Sequence, residues 1–310
     1  MLTFLVWNVN GAATGVRSPI PESDPRFQLL LQLLSKAVDY VQADVLVLVE
    51  SPFGDKLILP GMQPAVTDLM PNSSTQCTLD LYYRSATVRM EKGTDAMRRA
   101  TVQHVEAVQS GINFAFVAVH LASPQRVSEA ENRLEAVRSL ASIILNVERR
   151  EGHRRTLVAG DFNYSPYDLP IYAANFLHAV PTLGIARGRP RNVPIMQEVR
   201  PYFYNPMWAY LSSFTGVKLF SGQNYPDRIA SDASAGKPAG TYYKKDSTVD
   251  CRFWHCPDQV LVRPELLPFW SDEKLAIVTQ IDSTLLVTNE GLPDKRSVSD
   301  HLPLLFNLEI

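Results

Sequence analysis

VLVLVESP, residues 45–52, is a run of five branched aliphatic residues that ends on a carboxylate, Glu50, and stops at Pro52. A run so short and so uniformly apolar reads as a buried strand, and a proline after it cannot extend the ladder. Glutamate is seldom buried without a partner, so its place at the end of such a strand is unfavourable unless something there needs negative charge. What covers this strand decides the fold, and what neutralises Glu50 bears on function.

The neighbouring chain supplies a sheet and its cover. Residues 2–7 read as a second strand, and 27–41 carry Phe27, Leu30, Leu31, Leu34, Val38 and Val41 at helical spacing. A second long helix, 127–147, places Val127, Ala130, Leu134, Val137, Leu140, Ile144 and Val147 on one face. Residues 80–90, 101–109 and 112–119 read as further strands, the last two joined tightly at Ser110 and Gly111. A short strand at 155–159 follows, and 259–263, 275–281, 283–287 and 302–308 close the chain. Residues 11–25 read as a loop. Residues 181–245, rich in Gly, Pro, Ser and aromatics, are expected to be a substrate-contacting insertion within a single domain, 1–310. Strand pairs with long helices between some of them fit neither strict βαβ alternation nor an all-β fold. The expectation is an α/β protein with two sheets face to face and helices outside; a doubly wound parallel sheet is the competing architecture.

With 310 residues, 45% hydrophobic and 20% charged, the chain has the make-up of an ordinary soluble globular protein. It is long enough to bury roughly three quarters of its unfolded surface without a disulfide or structural metal. A formal net charge of −2 gives no global attraction to nucleic acid, although a local basic groove is compatible with a neutral total. The cysteines, Cys77, Cys251 and Cys256, contain no CxxC pair, so neither a disulfide framework nor a zinc knuckle is expected. The opening MLTFLVWNVNG has no basic region, and its apolar run is too short for a signal peptide or a membrane span, so a cytoplasmic protein is the expectation.

Five strands deliver polar residues at one end. Residues 2–7 lead to Asn8 and Asn10, 45–49 to Glu50, 114–119 to His120, and 156–159 to Asp161 and Asn163, while Asp300 and His301 introduce the last strand. Strands of one sheet align their ends, so these side chains can meet on one rim. Singly, each has an ordinary reading: Asn8, Asn10 and Asn163 as turn formers, Asp161 as an Asx-turn, His120 as a half-buried histidine, Asp300 with His301 as a solvated turn. Glu50 fits a solvated turn poorly, which leaves a salt bridge with an arginine or a bound cation. Jointly, a carboxylate with amide oxygens is a hard-oxygen set suited to Mg²⁺ or Mn²⁺, and histidines beside it can donate hydrogen bonds to phosphate oxygens. That combination describes metal-assisted phosphoester hydrolysis.

The same residues carry a resemblance. WNVNG (7–11), the strand ending in Glu50, VHL (119–121), GDFN (160–163), DQVLV (258–262) and SDHLP (299–303) stand in the order found in the endonuclease/exonuclease/phosphatase superfamily. The match runs from Asn8 to His301, nearly the whole chain. The resemblance implies a four-layer αββα sandwich of two packed mixed sheets flanked by helices, with the active site at one end of the sheets. It implies Glu50 as principal metal ligand with Asn8 beside it, Asp300 at a second metal or the water network, and Mg²⁺ or Mn²⁺ as cofactor. Asp161 would align or deprotonate the attacking water, and Asn163 would hold a phosphate oxygen or the nucleophile. His301 would hydrogen-bond the phosphoryl oxygens, with an aspartate fixing its orientation. Asp258 and Asp250 are the alternatives for that aspartate, and Asp258 is favoured although Pro257 precedes it. His120 resembles the histidine of the deoxyribonuclease I and phosphatase branches, where it assists the leaving group or phosphate, whereas WNVNG resembles the AP endonuclease branch.

Lys237, Lys244 and Lys245 with Tyr242, Tyr243, Phe253 and Trp254 interleave cations and aromatics, the means by which single-stranded nucleic acid is held. A solvated loop with aromatics anchored in the core is the competing reading. Arg187, Arg189 and Arg191 form a second basic cluster. A nucleic acid or nucleotide substrate is expected, with Asn10, Lys244, Lys245 and Trp254 as its contacts and a nuclease as the enzyme. The alternatives are a phosphatase or phosphodiesterase of small phosphorylated molecules or lipid head groups, and an inactive binding or effector module on the same fold.

Overall fold

The computed structural model describes residues 1–10, 20–53, 57–66, 79–93, 99–123, 130–188, 191–193, 198–211, 217–219, 239–244 and 254–310. Strands β1 (Leu2–Asn8) and β2 (Val45–Val49) are joined through helix α1 (Pro25–Val41). β3 (Gln63–Val66), β4 (Leu79–Tyr83), β5 (Val88–Lys92), β6 (Ala100–Ala107) and β7 (Asn113–His120) follow, then α2 (Ala130–Glu151) and β8 (Thr156–Asp161). Short elements come next: α3 (Leu169–Tyr172), β9 (Ala179–Val180), α4 (Leu183–Ala186), β10 (Arg191–Val193), β11 (Glu198–Arg200), β12 (Phe203–Tyr204), β13 (Val217–Leu219), β14 (Tyr242–Tyr243) and β15 (Trp254–His255). β16 (Asp258–Val262), β17 (Ala276–Ile281), β18 (Thr284–Leu285) and β19 (Leu304–Leu308) close the chain.

Two large mixed sheets result. One has the order β13-β17-β19-β1-β2-β4-β3, with β18 on β17; the other is β5-β6-β7-β8-β16-β12-β9. The alternation along β7 identifies what lies on each face. Phe114, Phe116 and Ala118 join the core between the sheets, while Ala115, Val117 and Val119 join the cluster under α2. Phe4 of β1 reaches across to Phe116 with ring centroids 5.5 Å apart and stacks on Phe306 at 5.0 Å. Helix α2 covers the second sheet through Val137, Leu140, Ile144 and Val147. Helix α1 starts where Asp24 caps it and Pro25 opens its first turn, buries Phe27, Leu30, Leu34 and Val38, and lies against β17. The layers are therefore helix, sheet, sheet, helix. Antiparallel pairing of β1 with β19 and of β8 with β16 rules out the doubly wound parallel alternative.

Residues 80–90, expected as one strand, are two strands in different sheets: β4 pairs with β2, and β5 pairs with β6. The turn at 84–87 carries the chain across the sandwich, with Arg84 Nε donating to Ala43 O at 3.2 Å and Thr87 Oγ1 donating to Asp44 Oδ1. No glycine or proline stands between Leu79 and Lys92 to mark that turn in the sequence. β3 escapes notice for the opposite reason: it contains Pro64, tolerated because β3 is an edge strand. Residues 283–287 shorten to β18, and the last strand begins only at Leu304, after Pro303. Within 181–245, β12 joins β9 and β16 in the second sheet, and β13 pairs with β17 at the edge of the first. Val127, Cys77 and Cys251 lie outside the described residues, and Cys256 is a buried free thiol. Among the described residues no helix is long and apolar enough to cross a membrane.

Gly160 of GDFN is fixed by sterics. Its φ is +141°, and a Cβ there would stand 2.0 Å from Val119 O on the neighbouring β7. Gly160→Ala is expected to destabilise the fold by about 3 kcal/mol, from overpacking plus backbone strain, read as a lower urea midpoint at unchanged m-value. An unchanged midpoint would mean that β7 and β8 can separate at no cost.

Candidate active site

Strand direction brings the polar residues together. β1 and β2 run parallel, Asn8 opposite Val49, so both release their C-terminal residues at one rim. β7 and β8 run parallel with His120 opposite Asp161, while β16 runs antiparallel to β8 and begins there, Asp258 opposite Asp161. β19 runs antiparallel to β1, so residues 299–301 before it return to the same end. The two sheets touch at this rim: Asn8 Nδ2 donates to Asp161 Oδ2 at 2.9 Å.

Around that contact the site closes into a network. Asn8 Oδ1 accepts from Asn10 N at 2.9 Å, and Asn10 Nδ2 donates to Asp300 Oδ1 at 2.8 Å. Asp161 Oδ1 accepts from Asn163 N at 2.7 Å, and Asn163 Nδ2 donates to Leu121 O at 2.9 Å. His301 Nδ1 lies 2.8 Å from Asp258 Oδ2, both residues buried, so Asp258 is paired with the histidine; Asp250 lies outside the described residues. Glu50 Oε1 is 3.6 Å from His120 Nε2. Glu50 is half-buried, less enclosed than the strand before it suggests, because its backbone turns into the left-handed region at φ +53°. Asn10 (φ +45°) and Asn163 (φ +53°) share that conformation, so three of the six such non-glycine residues among those described stand at this rim. Strained backbone that persists is held by its surroundings, and it gathers at working sites.

Burial and charge pull the titratable groups apart. Burial, then the neighbouring Asp258, pushes the Asp161 carboxyl up to about 7. Burial likewise raises Glu50, with Asp300 and Asp258 adding to the rise and His301 and Arg26 opposing it. For His301 burial disfavours the cation, yet the charge and hydrogen bond of Asp258, with Asp161 and Asp300 behind it, prevail and hold it up at about 10. His120 is driven down to about 3 by burial and by the positive charges of Arg99 and His301. One histidine is thus a cation and the other neutral at physiological pH, a separation of roles that sites with proton chemistry use.

Several supporting contacts go beyond the expected site residues. Trp7 Nε1 donates to His301 O at 3.1 Å, and Ser299 Oγ donates to Asn8 O at 2.7 Å while accepting from His301 N at 3.1 Å. Arg26, at the start of α1, donates to three backbone carbonyls of the rim. Tyr242 places its ring centroid 4.8 Å from that of His301. Of the expected substrate contacts, Asn10 is in the network. Trp254 is half-buried with its ring centroid 5.3 Å from that of Tyr243, on the hairpin that brings Tyr242 to the rim, and Lys244 is exposed beside it. Lys245, Lys237, Phe253 and Arg189 lie outside the described residues, Arg187 is exposed, and only the backbone of Arg191 is described.

The donor set suits a hard divalent cation. Glu50, Asp161, Asp258 and Asp300 crowd one rim where burial, and then neighbouring carboxylates, raise Glu50 and Asp161, and Asp258 Oδ1 is buried with no hydrogen-bond partner. Asp161, Asp258 and His301 offer ligand atoms within 4.8 Å of one another. His301 Nδ1 and Asp258 Oδ2 are already engaged with each other, however. Glu50 and Asp300 bring two further carboxylates to the same rim.

No protein-family model matches the chain, and no curated protein matches its sequence. Solved structures do match its shape. A mannosyl-6-phosphatase of Bacteroides thetaiotaomicron superposes with a TM-score of 0.55 at 12% identity, over 99% of both chains. An endonuclease/exonuclease/phosphatase family protein of the same species gives 0.54 at 14% identity, over 99% of this chain and 98% of that one. A conserved protein of unknown function from Enterococcus faecalis gives 0.50 at 12%, again over 99% of both. The two mixed sheets, the flanking helices and these end-to-end superpositions agree: the chain has the fold of the endonuclease/exonuclease/phosphatase superfamily.

Proposed function

We propose that the chain is a divalent-metal-dependent phosphoesterase that cleaves phosphodiester bonds, with a polynucleotide as substrate. The observation that carries this reading is the convergence, across the seam between two sheets, of Asn8, Asn10, Glu50, Asp161, Asp258 and Asp300 with His120 and His301. Glu50, Asn8 and Asp300 are the residues that would hold Mg²⁺ or Mn²⁺. A bound divalent ion would supply Lewis acidity and neutralise charge growing on the phosphoryl oxygens.

The remaining chemistry belongs to the chain. Asp161, near 7, is poised to take a proton from water at neutral pH, since a general base works best with a pKa close to the operating pH. Its two oxygens are aimed by Asn8 and by the Asn163 backbone. His301, with Nδ1 on Asp258, keeps Nε2–H as a charge-assisted donor to a phosphoryl oxygen, where negative charge builds in the transition state. His120, neutral, acts through hydrogen bonding rather than through charge. The hairpin β14–β15 sets Tyr242 beside His301 and carries Tyr243, Lys244 and Trp254, which supports a substrate with stackable bases.

The test is turnover of single- and double-stranded DNA, RNA, bis-(p-nitrophenyl) phosphate, sugar phosphates and inositol polyphosphates, with Mg²⁺, Mn²⁺ or EDTA. Metal-dependent cleavage of a polynucleotide is expected, with loss of at least about 10²-fold in EDTA. Phosphate release from small monoesters alone would move the substrate to the phosphatase class. Silence across the panel would favour a binding module.

A further inference from the structure

The guanidinium of Arg26 reads backbone rather than carboxylates. Nε donates to Val298 O at 2.6 Å, and Nη2 donates to Val9 O at 2.9 Å and to Asn10 O at 2.7 Å. These carbonyls lie on two separate segments: one follows Asn8, the last residue of β1, and carries Asn10, the other precedes β19 and carries Asp300 and His301. Arg26 is itself fixed, since its backbone N donates to the capping Asp24 Oδ1 at 2.8 Å and Pro25 precedes it in the first turn of α1. A half-buried guanidinium beside Asp300, Asp24 and Glu50 would ordinarily pair with one of them. Its contacts here are carbonyl oxygens, held by charge-assisted hydrogen bonds in the rigid fork that only arginine offers.

The consequence for the site follows bond by bond. Asn10 O is held by Arg26 while Asn10 sits at φ +45°, a left-handed conformation that asparagine tolerates and that the Arg26 contact fixes. With Asn10 so turned, its N donates to Asn8 Oδ1 and its side chain to Asp300 Oδ1. One arginine therefore sets the orientation of Asn8, Asn10 and Asp300 together, and ties the segment of His301 to the segment that follows Asn8.

We infer that Arg26 is a positioning residue: it clamps the two rim loops so that Asn8 and Asp300 face one cation. The inference rests on the phosphoesterase reading for its kinetic consequence but not for its metal-binding one. Arg26→Gln removes the fork and the charge; Arg26→Lys keeps the charge and, with a single point of donation, cannot span both loops. Mn²⁺ affinity, followed by electron paramagnetic resonance, is expected to fall about 10-fold in both variants. On a cleaved substrate kcat is expected to fall about 10²-fold in both, with KM changed less than about threefold. Arg26→Gly, assayed with and without added guanidinium chloride at low concentration, is expected to recover part of its Mn²⁺ affinity, which a general loss of stability would not allow.

An Arg26→Lys protein with wild-type Mn²⁺ affinity would overturn the clamp, leaving charge alone as the role of Arg26. Equal Mn²⁺ affinity in all variants, or none in the wild type, would overturn it as well. A wild type that binds Mn²⁺ but cleaves nothing would sink the phosphoesterase reading, while the Mn²⁺ comparison still decides the clamp. Arg26→Lys, which leaves the charge in place, serves if Arg26→Gln fails to fold.

Discussion

Glu50→Gln is expected to reduce kcat by roughly 10³-fold in saturating Mg²⁺ and to remove the metal's effect on stability. The substitution keeps shape and size but takes away the charge that a divalent ion would neutralise. Its effect on the fold without metal has the opposite sign from that of an ordinary structural carboxylate. Burial raises Glu50 above the usual carboxylate range, so the folded state favours the protonated form and an ionised Glu50 works against folding at neutral pH. The neutral amide relieves that, and in EDTA the variant should melt at or slightly above the wild type. In Mg²⁺ the order reverses, because an ion that binds only the folded wild type adds about 2.7 kcal/mol at a hundred times its Kd. Thermal melting of both proteins in EDTA and in a Mg²⁺ series checks this. A variant that melts well below wild type in EDTA, or that keeps the metal-induced rise, would remove Glu50 from the metal site.

Legibility from sequence followed the physics of each element. VLVLV, buried at every residue, announced a central strand because five apolar residues bounded by Glu50 and Pro52 have few other uses. GDFN and SDH were legible as rim residues because they directly follow or precede strands, and strand ends align. The crossing at 84–87 was not, since its stability comes from Asp44, about forty positions away in sequence, and from no local turn residue. Arg26 was equally hidden: nothing in DPRF distinguishes a first-turn helix residue that reaches carbonyls of residues 9, 10 and 298 from one that faces water. Trp7 illustrates the same limit. Its apolar body belongs to the core pattern of β1, whereas its indole N–H on His301 O is a long-range contact that periodicity cannot encode. The side chains that meet at the rim were legible, whereas the contacts that Arg26 and Trp7 make to the backbone there were not, because those are tertiary hydrogen bonds.

Asp258→Asn is expected to lower kcat by roughly 10²–10³-fold and, more diagnostically, to move both limbs of the pH–rate profile toward lower pH. Asp258 is buried, and its charge acts on both Asp161 and His301. It raises the Asp161 carboxyl, after burial, to about 7, and it is the main influence holding His301 at about 10. Removing that charge while keeping the side chain's shape lets Asp161 ionise at lower pH and lets His301 lose its proton earlier, toward the ordinary imidazole value near 6.5. Stability supplies a second reading with a defined sign. A histidine whose folded value is raised contributes stability that is complete below about 6.5 and is lost as pH rises toward about 10. The part of wild-type stability that declines across this interval in EDTA should therefore be smaller in Asp258→Asn. A residue that merely packs would change kcat or melting temperature but leave the pH profile where it was. If the limbs do not move, the charge of Asp258 does not govern His301, and the pairing seen at 2.8 Å is structural rather than part of the proton chemistry.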